Sequence, residues 1–580
     1  MIARSAASRC LPFLIVLATA AASHADTPSI LAHKLSARGD VASYDEAMAA
    51  ATLQGILNRD APNVYVSSNA HPRPAHWLEI LRRPGGWLEG RAVGEPVDLD
   101  RLVESARGRV RGAVIWDPVV PATVNVATTI AGVEDGIVLS PELAEARLKA
   151  WGLPILHDLR GKFDGRETGS KKNDAYRWAV REYLDKGLCS SHRLFLNEDA
   201  ATRRAEGALG DVVTRDWAVK NRGFVFDLSP WGDEVPADDP HQRLGLDLET
   251  YRMILQSISR NAAGRQLTEL AGFFSFAKYA AVPGHESRHD PVFTEWETVR
   301  LISPFGCYQN TITGDSFNQS FHSQAPRKPL TQRRPTLRTG PGETTYIAMF
   351  MADYDSSFAL YDILPSKWDS PHRGKVPLAW GINPNLLETY PDLVAHVYAT
   401  ATPNDLFTAD ASAAGYFNPN QLPASLLPLF VVHNRKFFRE ADMTIAPMVL
   451  DWDQPTDAVK DAFHEFAPDG FATIVMDIYN QGGKPPKPHL WKGMPVTELI
   501  SEPWDFTQSA GAADVIHGRI AKRPAHETGF LLSRLVWMSP TDVIRAFDAL
   551  RAKYPDDRFE LVDIQSFFNL FREDQERRGR

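Results

Sequence analysis

The segment Met351-Ala-Asp-Tyr-Asp-Ser356 sets two carboxylates, Asp353 and Asp355, around a tyrosine directly after an apolar run. Two acids this close do not both ionise cheaply away from water, so one is driven to keep its proton. A proton donor beside a carboxylate is the equipment of general acid/base chemistry, and a bound cation is the other way to satisfy such a pair. The cysteines offer no metal shell: Cys189 and Cys307 show no Cys-x-x-Cys or Cys-His spacing, and no metal or cofactor is expected. No G-x-S-x-G elbow occurs, which argues against a serine-nucleophile α/β-hydrolase.

The pair is positioned by what precedes and follows it. From Thr344 onward, strand-like runs recur at 344–353, 375–383, 405–412, 443–452, 471–479, 494–502, 529–537 and 558–565. Helical segments such as 385–400, 455–467 and 540–554 separate most of them. Seven or eight such units predict a C-terminal TIM-like (β/α)7-8 barrel, with an open doubly wound sheet as the alternative. In either fold, sites gather at the C-terminal ends of the strands. Those ends carry Asp353 and Asp355, Asn383, Asp410, Asp451 and Asp453, Asp477 and Tyr479, Glu502, and Arg534 with Trp537. Any one Asp there also suits a helix N-cap, so it is the rim as a whole that points to a site.

Before the barrel, residues 43–262 alternate helical patterns with short strands, among them 64–68, 112–117 and 136–140. No glycine-rich phosphate loop follows any of these strands, which disfavours a nucleotide site. A Pro/Arg/Thr-rich connector spans 325–343. The expected organisation is a leader over 1–25, an N-terminal α/β domain over 26–110 and middle α/β domains over 111–270. A connecting segment over 271–343 then leads into the barrel over 344–580.

Arg4 and Arg9 precede the apolar run Leu11 to Ala22, which ends in Ser23-His24-Ala25. This is the pattern of a secretory signal peptide with Asp26 as the new N-terminus, and it predicts a periplasmic or extracellular protein. No later segment is apolar enough to span a bilayer, so no stable membrane insertion is expected. A net charge of −9 gives no general attraction for nucleic acid. In an oxidising compartment Cys189 and Cys307 are free to pair or not, since their separation in sequence decides nothing.

Three segments in order resemble one family. MADYDS, then RGKVPLAWGINPNL (373–386), then ATPNDLFTADASAAGYFNPNQL (401–422) are similar to the GxGYxYP family, which is classed with glycoside hydrolases. Gly415, Tyr416 and Pro419 match the namesake motif, while Ala413 replaces its first glycine and Asn418 its second tyrosine. TLQGILNRDAPNVYV (52–66), FTEWETVRLISPFG (293–306) and GDSFNQSFHS (314–323) resemble earlier parts of the family. The resemblance implies an exported multi-domain protein whose C-terminal barrel cleaves glycans. The two departures suggest a divergent branch with a different glycan.

Glycosidic cleavage needs a proton donor and a second carboxylate. Asp353 and Asp355 are the first candidates, Asp477 their partner across the barrel, with Glu297 and Asp315 in reserve. Trp380, Asn383, Tyr416, Asn418 and Tyr479 are expected to bind hydroxyls or stack on a ring, and Asn318 and His322 to line the same cleft. A carbohydrate deacetylase or esterase and a non-catalytic glycan-binding protein are the alternatives. The leader carries its own test: mass spectrometry of the exported protein finds Asp26 as the first residue, and a chain retaining Met1 overturns the reading.

Overall fold

The computed structural model describes residues 29–36, 38–197, 204, 210–274, 289, 291–313, 316–477, 480–500, 509–524 and 526–579. The expected leader and two expected site residues, Asp315 and Tyr479, lie outside them. The chain is a mixed α/β molecule built on parallel sheets. Strand β1 (Leu31–Leu35) pairs in parallel with β2 (Val64–Ser68), joined through the helix Val41–Leu57. That helix starts where the Asp40 side chain accepts the Ser43 amide at 2.7 Å, a capped N-terminus. Strands β3 (Gly112–Ile115), β4 (Gly136–Leu139) and β5 (Ile155–Asp158) form a second parallel sheet with β3 central. In a third, β6 (Arg193–Leu196), β7 (Phe224–Phe226), β8 (Thr268–Gly272) and β9 (Cys307–Thr311) run in the order β7-β6-β8-β9. Cys189 and Cys307 are both buried free thiols, which burial pushes up to about 12. Residues 326–339 of the connector have no regular structure.

The C-terminal strands match their predicted positions within a few residues. Strand β10 (Thr345–Tyr354) is flanked on one edge by β17 (Gly529–Val536). On the other edge β18 (Phe559–Leu561) pairs with its first half and β11 (Leu378–Ile382) with its second. Strand β12 (Asp405–Thr408) continues from β11. A separate sheet holds β13 (Ile445–Asp451), β14 (Gly470–Val475), β15 (His489–Trp491) and β16 (Met494–Glu498). Its β15–β16 pair is antiparallel and was not anticipated from the sequence. Backbone hydrogen bonds tie the two sheets together at both ends. The Ile500 N–H donates to Leu532 and its carbonyl accepts from Arg534, while the Ser412 N–H donates to Met448.

Strand β10 is buried on both faces, which is why it reads as a continuous apolar run rather than an alternation. Tyr346, Ala348, Phe350 and Ala352 share one apolar cluster with Ala379, Leu406, Met448, Leu450, Ala472, Leu499 and Leu532, one or more from each neighbouring strand region. Ile347, Met349 and Met351 face the opposite way into the main core. Phe567 and Phe568 of the C-terminal helix Ile564–Arg578 pack into the first cluster.

Beyond β12 the segment Asp410–Asn420 is irregular yet held at every second amide. The N–H groups of Asp410, Ser412, Ala414, Tyr416, Asn418 and Asn420 donate in turn to Asn383 Oδ1, Met448 O, Asn434 Oδ1, Gln309 O, Ser303 Oγ and Asp451 Oδ2, at 2.8–3.0 Å. Gly415 is required on two counts. Its φ is +110°, and a Cβ there would lie 2.3 Å from the Tyr308 ring. Ala413 also holds a positive φ of 105°, at the position where the family motif has glycine. Gly415→Ala is expected to destabilise by roughly 3 kcal/mol or more through combined overpacking and backbone strain. Ala413→Gly stays within about 1 kcal/mol, because relief of strain is offset by a lost methyl and a looser unfolded chain. Urea titration reads both, and a Gly415→Ala midpoint equal to wild type removes the argument.

Candidate active site

Four carboxyls and one guanidinium converge at the C-terminal end of β10. Asp353 sits in a register shift between Met351 and Tyr354, with a left-handed φ of +68°. A bulge at a strand end re-aims the side chain that follows, and aspartate is among the residues that tolerate this conformation. The Asp353 N–H donates to Asp410 Oδ2 at 2.7 Å, and its carboxylate is ion-paired with Arg534 of β17. Asn383 braces the Asp410 turn, accepting the Asp410 N–H and donating to Ala411 O at 3.3 Å. Gly381 clears the space: a Cβ there would lie 2.4 Å from Asp410 Oδ2.

The fourth carboxyl comes from outside the C-terminal sheets. Glu295 lies in the helix Pro291–Ile302, and its neighbours Trp296 and Val299 pack on the inner cluster of the strands. Burial pushes the Glu295 carboxyl up to about 8, with Asp355 and Asp353 adding repulsion and Arg534 opposing it. Burial also pushes Asp355 up to about 7, again against Arg534. Asp410 is raised well above the carboxylate range by burial and by the charges of Asp355 and Asp353, and its Oδ1 has no hydrogen-bond partner. Tyr416 is buried, its hydroxyl unpartnered and its ionisation suppressed by burial and by Glu295, Asp355 and Asp353. The arrangement can hold protons and release them at neutral pH beside one fixed ion pair.

Asp353, Asp355 and Tyr416 are thus brought together, and Asn383 stands behind them as a brace. Other expected site residues are engaged elsewhere. Asp477 accepts the backbone N–H groups of Gln481, Gly482 and Gly483 at 2.7–2.9 Å, so it closes its own turn and is held below the usual carboxylate range. Glu297 lies two residues from Glu295, off the inward face, and pairs with Arg300 at 3.4 Å. Trp380 is fully buried on the outer face of β11, donating to Asp405 at 2.9 Å and packed edge-on against Trp368. Asn418 is buried; with its nitrogen turned to the carboxylate it donates to Asp451 Oδ1 at 2.9 Å. Asn318 pairs with both the N–H and C=O of Val66, fastening β2 to this part of the chain. His322 is buried among Tyr65, Phe321, Tyr361 and Tyr390, with Nδ1 2.7 Å from Asp392.

Glu295 was missed, yet a signal existed: Val299 one turn later continues the same helical face, whereas Glu297 points away from it. Asp410 and Arg534 were read only as part of the rim. One spacing bears against the expectation of no metal: His285-Glu286-Ser287-Arg288-His289 is an H-E-x-x-H sequence. Of these residues only His289 is described, its Nε2 2.9 Å from Asp233 and its ring stacked on Trp231. Among the described residues no group of three or more His, Cys, Asp or Glu side chains is arranged to hold a metal ion.

The chain superposes with a TM-score of 0.68 on the crystal structure of "a putative hydrolase from Bacteroides thetaiotaomicron VPI-5482", at 17% identity, covering 94% of this chain and 95% of that one. At that identity the likeness is one of fold. No curated protein sequence matches the chain. Family models match over most of its length: the GxGYxYP N-terminal first domain over 35–99 and second domain over 110–187, and the "GxGYxYP putative glycoside hydrolase C-terminal domain" over 343–572. The chain belongs to the GxGYxYP family.

Proposed function

We propose that the protein is an exported glycoside hydrolase whose chemistry is carried by Glu295, Asp353 and Asp355. The observation that carries the reading is the convergence of these carboxyls, from two separate parts of the chain, around Arg534. Glu295 is the proton donor to the leaving oxygen, because a carboxyl pushed up to about 8 holds its proton at neutral pH. Asp353, ion-paired with Arg534, is the carboxylate that acts on the anomeric centre or on its water. Asp355 is coupled to both: its charge helps to raise Glu295, and the charge of Asp353 helps to raise Asp355. The family's classification with glycoside hydrolases supports the same chemistry. The parallel strands β10 to β14, β16 and β17, whose inward side chains contribute to a single cluster, support reading the two C-terminal sheets as one barrel-like body.

The reading is tested on a panel of neutral poly- and oligosaccharides. Glu295→Gln and Asp353→Asn are expected to lower kcat/KM by roughly 10²–10⁴. Undiminished cleavage by both variants overturns the assignment, and acetate release without chain cleavage favours the deacetylase. Activity should fall as pH rises through about 8, where Glu295 loses its proton.

Stability follows the same protons. Unfolded carboxyls titrate near 4, so between about pH 4 and 8 the folded state binds more protons than the unfolded one. Folding stability contributed by these groups is therefore present at low pH and lost as pH rises toward 8. Glu295→Gln should melt like wild type at pH 4.5 and progressively higher than wild type toward pH 8. Parallel melting curves across that range would remove Glu295 as a proton-holding group.

A further inference from the structure

We infer that Trp537 is a sugar-stacking platform at the mouth of this site, built to take one face of a neutral, gluco-configured pyranose. This rests on the site proposed above and adds a ligand class to it.

Trp537 follows β17 directly and is 41% exposed, the only exposed aromatic side chain among the described residues. A large exposed indole forgoes the burial that normally stabilises it, so its position calls for a reason. Its backbone is left-handed, φ +51°, a conformation uncommon for a bulky residue and characteristic of functional positions. The ring is anchored as well: Nε1 donates to the Asp353 carbonyl at 3.0 Å. The end of β17 therefore grips Asp353 twice, Arg534 at the carboxylate and Trp537 at the main chain. The indole is a fixed wall beside the carboxyl cluster, with Phe358 edge-on to it at 6.5 Å.

A fixed aromatic face beside hydrogen-bonding carboxyls suits a ring with an apolar side and a polar rim. Pyranoses with equatorial hydroxyls offer such a side, since their axial C–H bonds make a continuous apolar face. The charge of the cleft narrows the class further. Glu295, Asp353, Asp355 and Asp410 face one another with Arg534 as the cation among them, and that cation is already paired with Asp353. A uronate would add a further carboxylate to this group, whereas a neutral sugar adds none.

The test is calorimetric titration of the full mature chain with cellohexaose, laminarihexaose and chitohexaose, and with oligogalacturonate as the anionic probe. At least one neutral hexaose is expected to bind and oligogalacturonate not to bind. Trp537→Ala should weaken the neutral ligand at least tenfold. Trp537→Phe, which keeps a smaller face and loses the N–H tether, should fall between. Ligand-induced change in tryptophan fluorescence should be present in wild type and absent in Trp537→Phe. Equal affinity in Trp537→Ala, tighter binding of oligogalacturonate, or no binding of any neutral hexaose overturns the proposal. Binding without cleavage removes the hydrolase and leaves the platform standing; cleavage with an unchanged KM in Trp537→Ala does the reverse.

Discussion

Six amide protons hold the centre of this molecule. Alternate residues from Asp410 to Asn420 donate to five neighbouring elements: the turn after β11, strand β13 twice (at Met448 and at Asp451), the helix Leu427–Glu440, strand β9, and the turn after the helix Pro291–Ile302. A buried irregular segment would otherwise leave main-chain donors unpaired, at a cost of about 1–3 kcal/mol each. Here six of them are paired without a helix or a sheet ladder. The consequence is architectural. Gln309 and Ser303 precede β10, as does Glu295, so the C-terminal strands by themselves hold neither the Tyr416 segment nor the whole carboxyl cluster.

The cluster is a problem of charge that the fold solves locally. Four carboxyls and one guanidinium would carry a net charge of about −3 if all were ionised, which a partly buried site does not sustain. Arg534 settles on Asp353, and protons settle on the others as burial raises Glu295, Asp355 and Asp410. Distinct carboxyls thus acquire distinct roles from their surroundings and not from their chemistry. Strand parity sets the contacts: Arg534 is opposite Phe350 in the pairing with β17, so both project to the same face, where Phe350 and Asp410 fill the space that Gly381 leaves open.

Apolar runs and the helical segments between them make the C-terminal strands legible, and the end of β10 follows from where its apolar run stops. What sequence did not supply was direction. In Leu378-Ala-Trp-Gly-Ile382 the inward positions are Ala379 and Gly381, because the interior beside Phe350 and Asp410 has room only for small residues. Trp380 is consequently outside, in the packing with Trp368 and Tyr354. The same issue separated Glu295 from Glu297, where only the helix face continued by Val299 distinguishes two similar acids. Asp477 looked like a strand-end acid and is one, but its carboxylate is consumed by its own turn. Asn318 and His322, expected to line the cleft, are instead engaged with Val66 of the N-terminal sheet and with Asp392.

The namesake motif itself changes meaning. Its departures, Ala413 and Asn418, point to an altered glycan only if their side chains meet the ligand. Both side chains are fully buried, Ala413 beside the Asp410 turn and Asn418 against Asp451, whose carboxyl burial pushes up to about 7. A glycine at 413 would serve the positive φ, and a side chain at 418 serves the join to β13, so both positions concern how the segment is fastened. Only Tyr416 turns from the motif toward the carboxyls. On the function proposed above, the residues that set ligand preference lie elsewhere, on strand ends such as that of β17, where exposure and chemistry coincide.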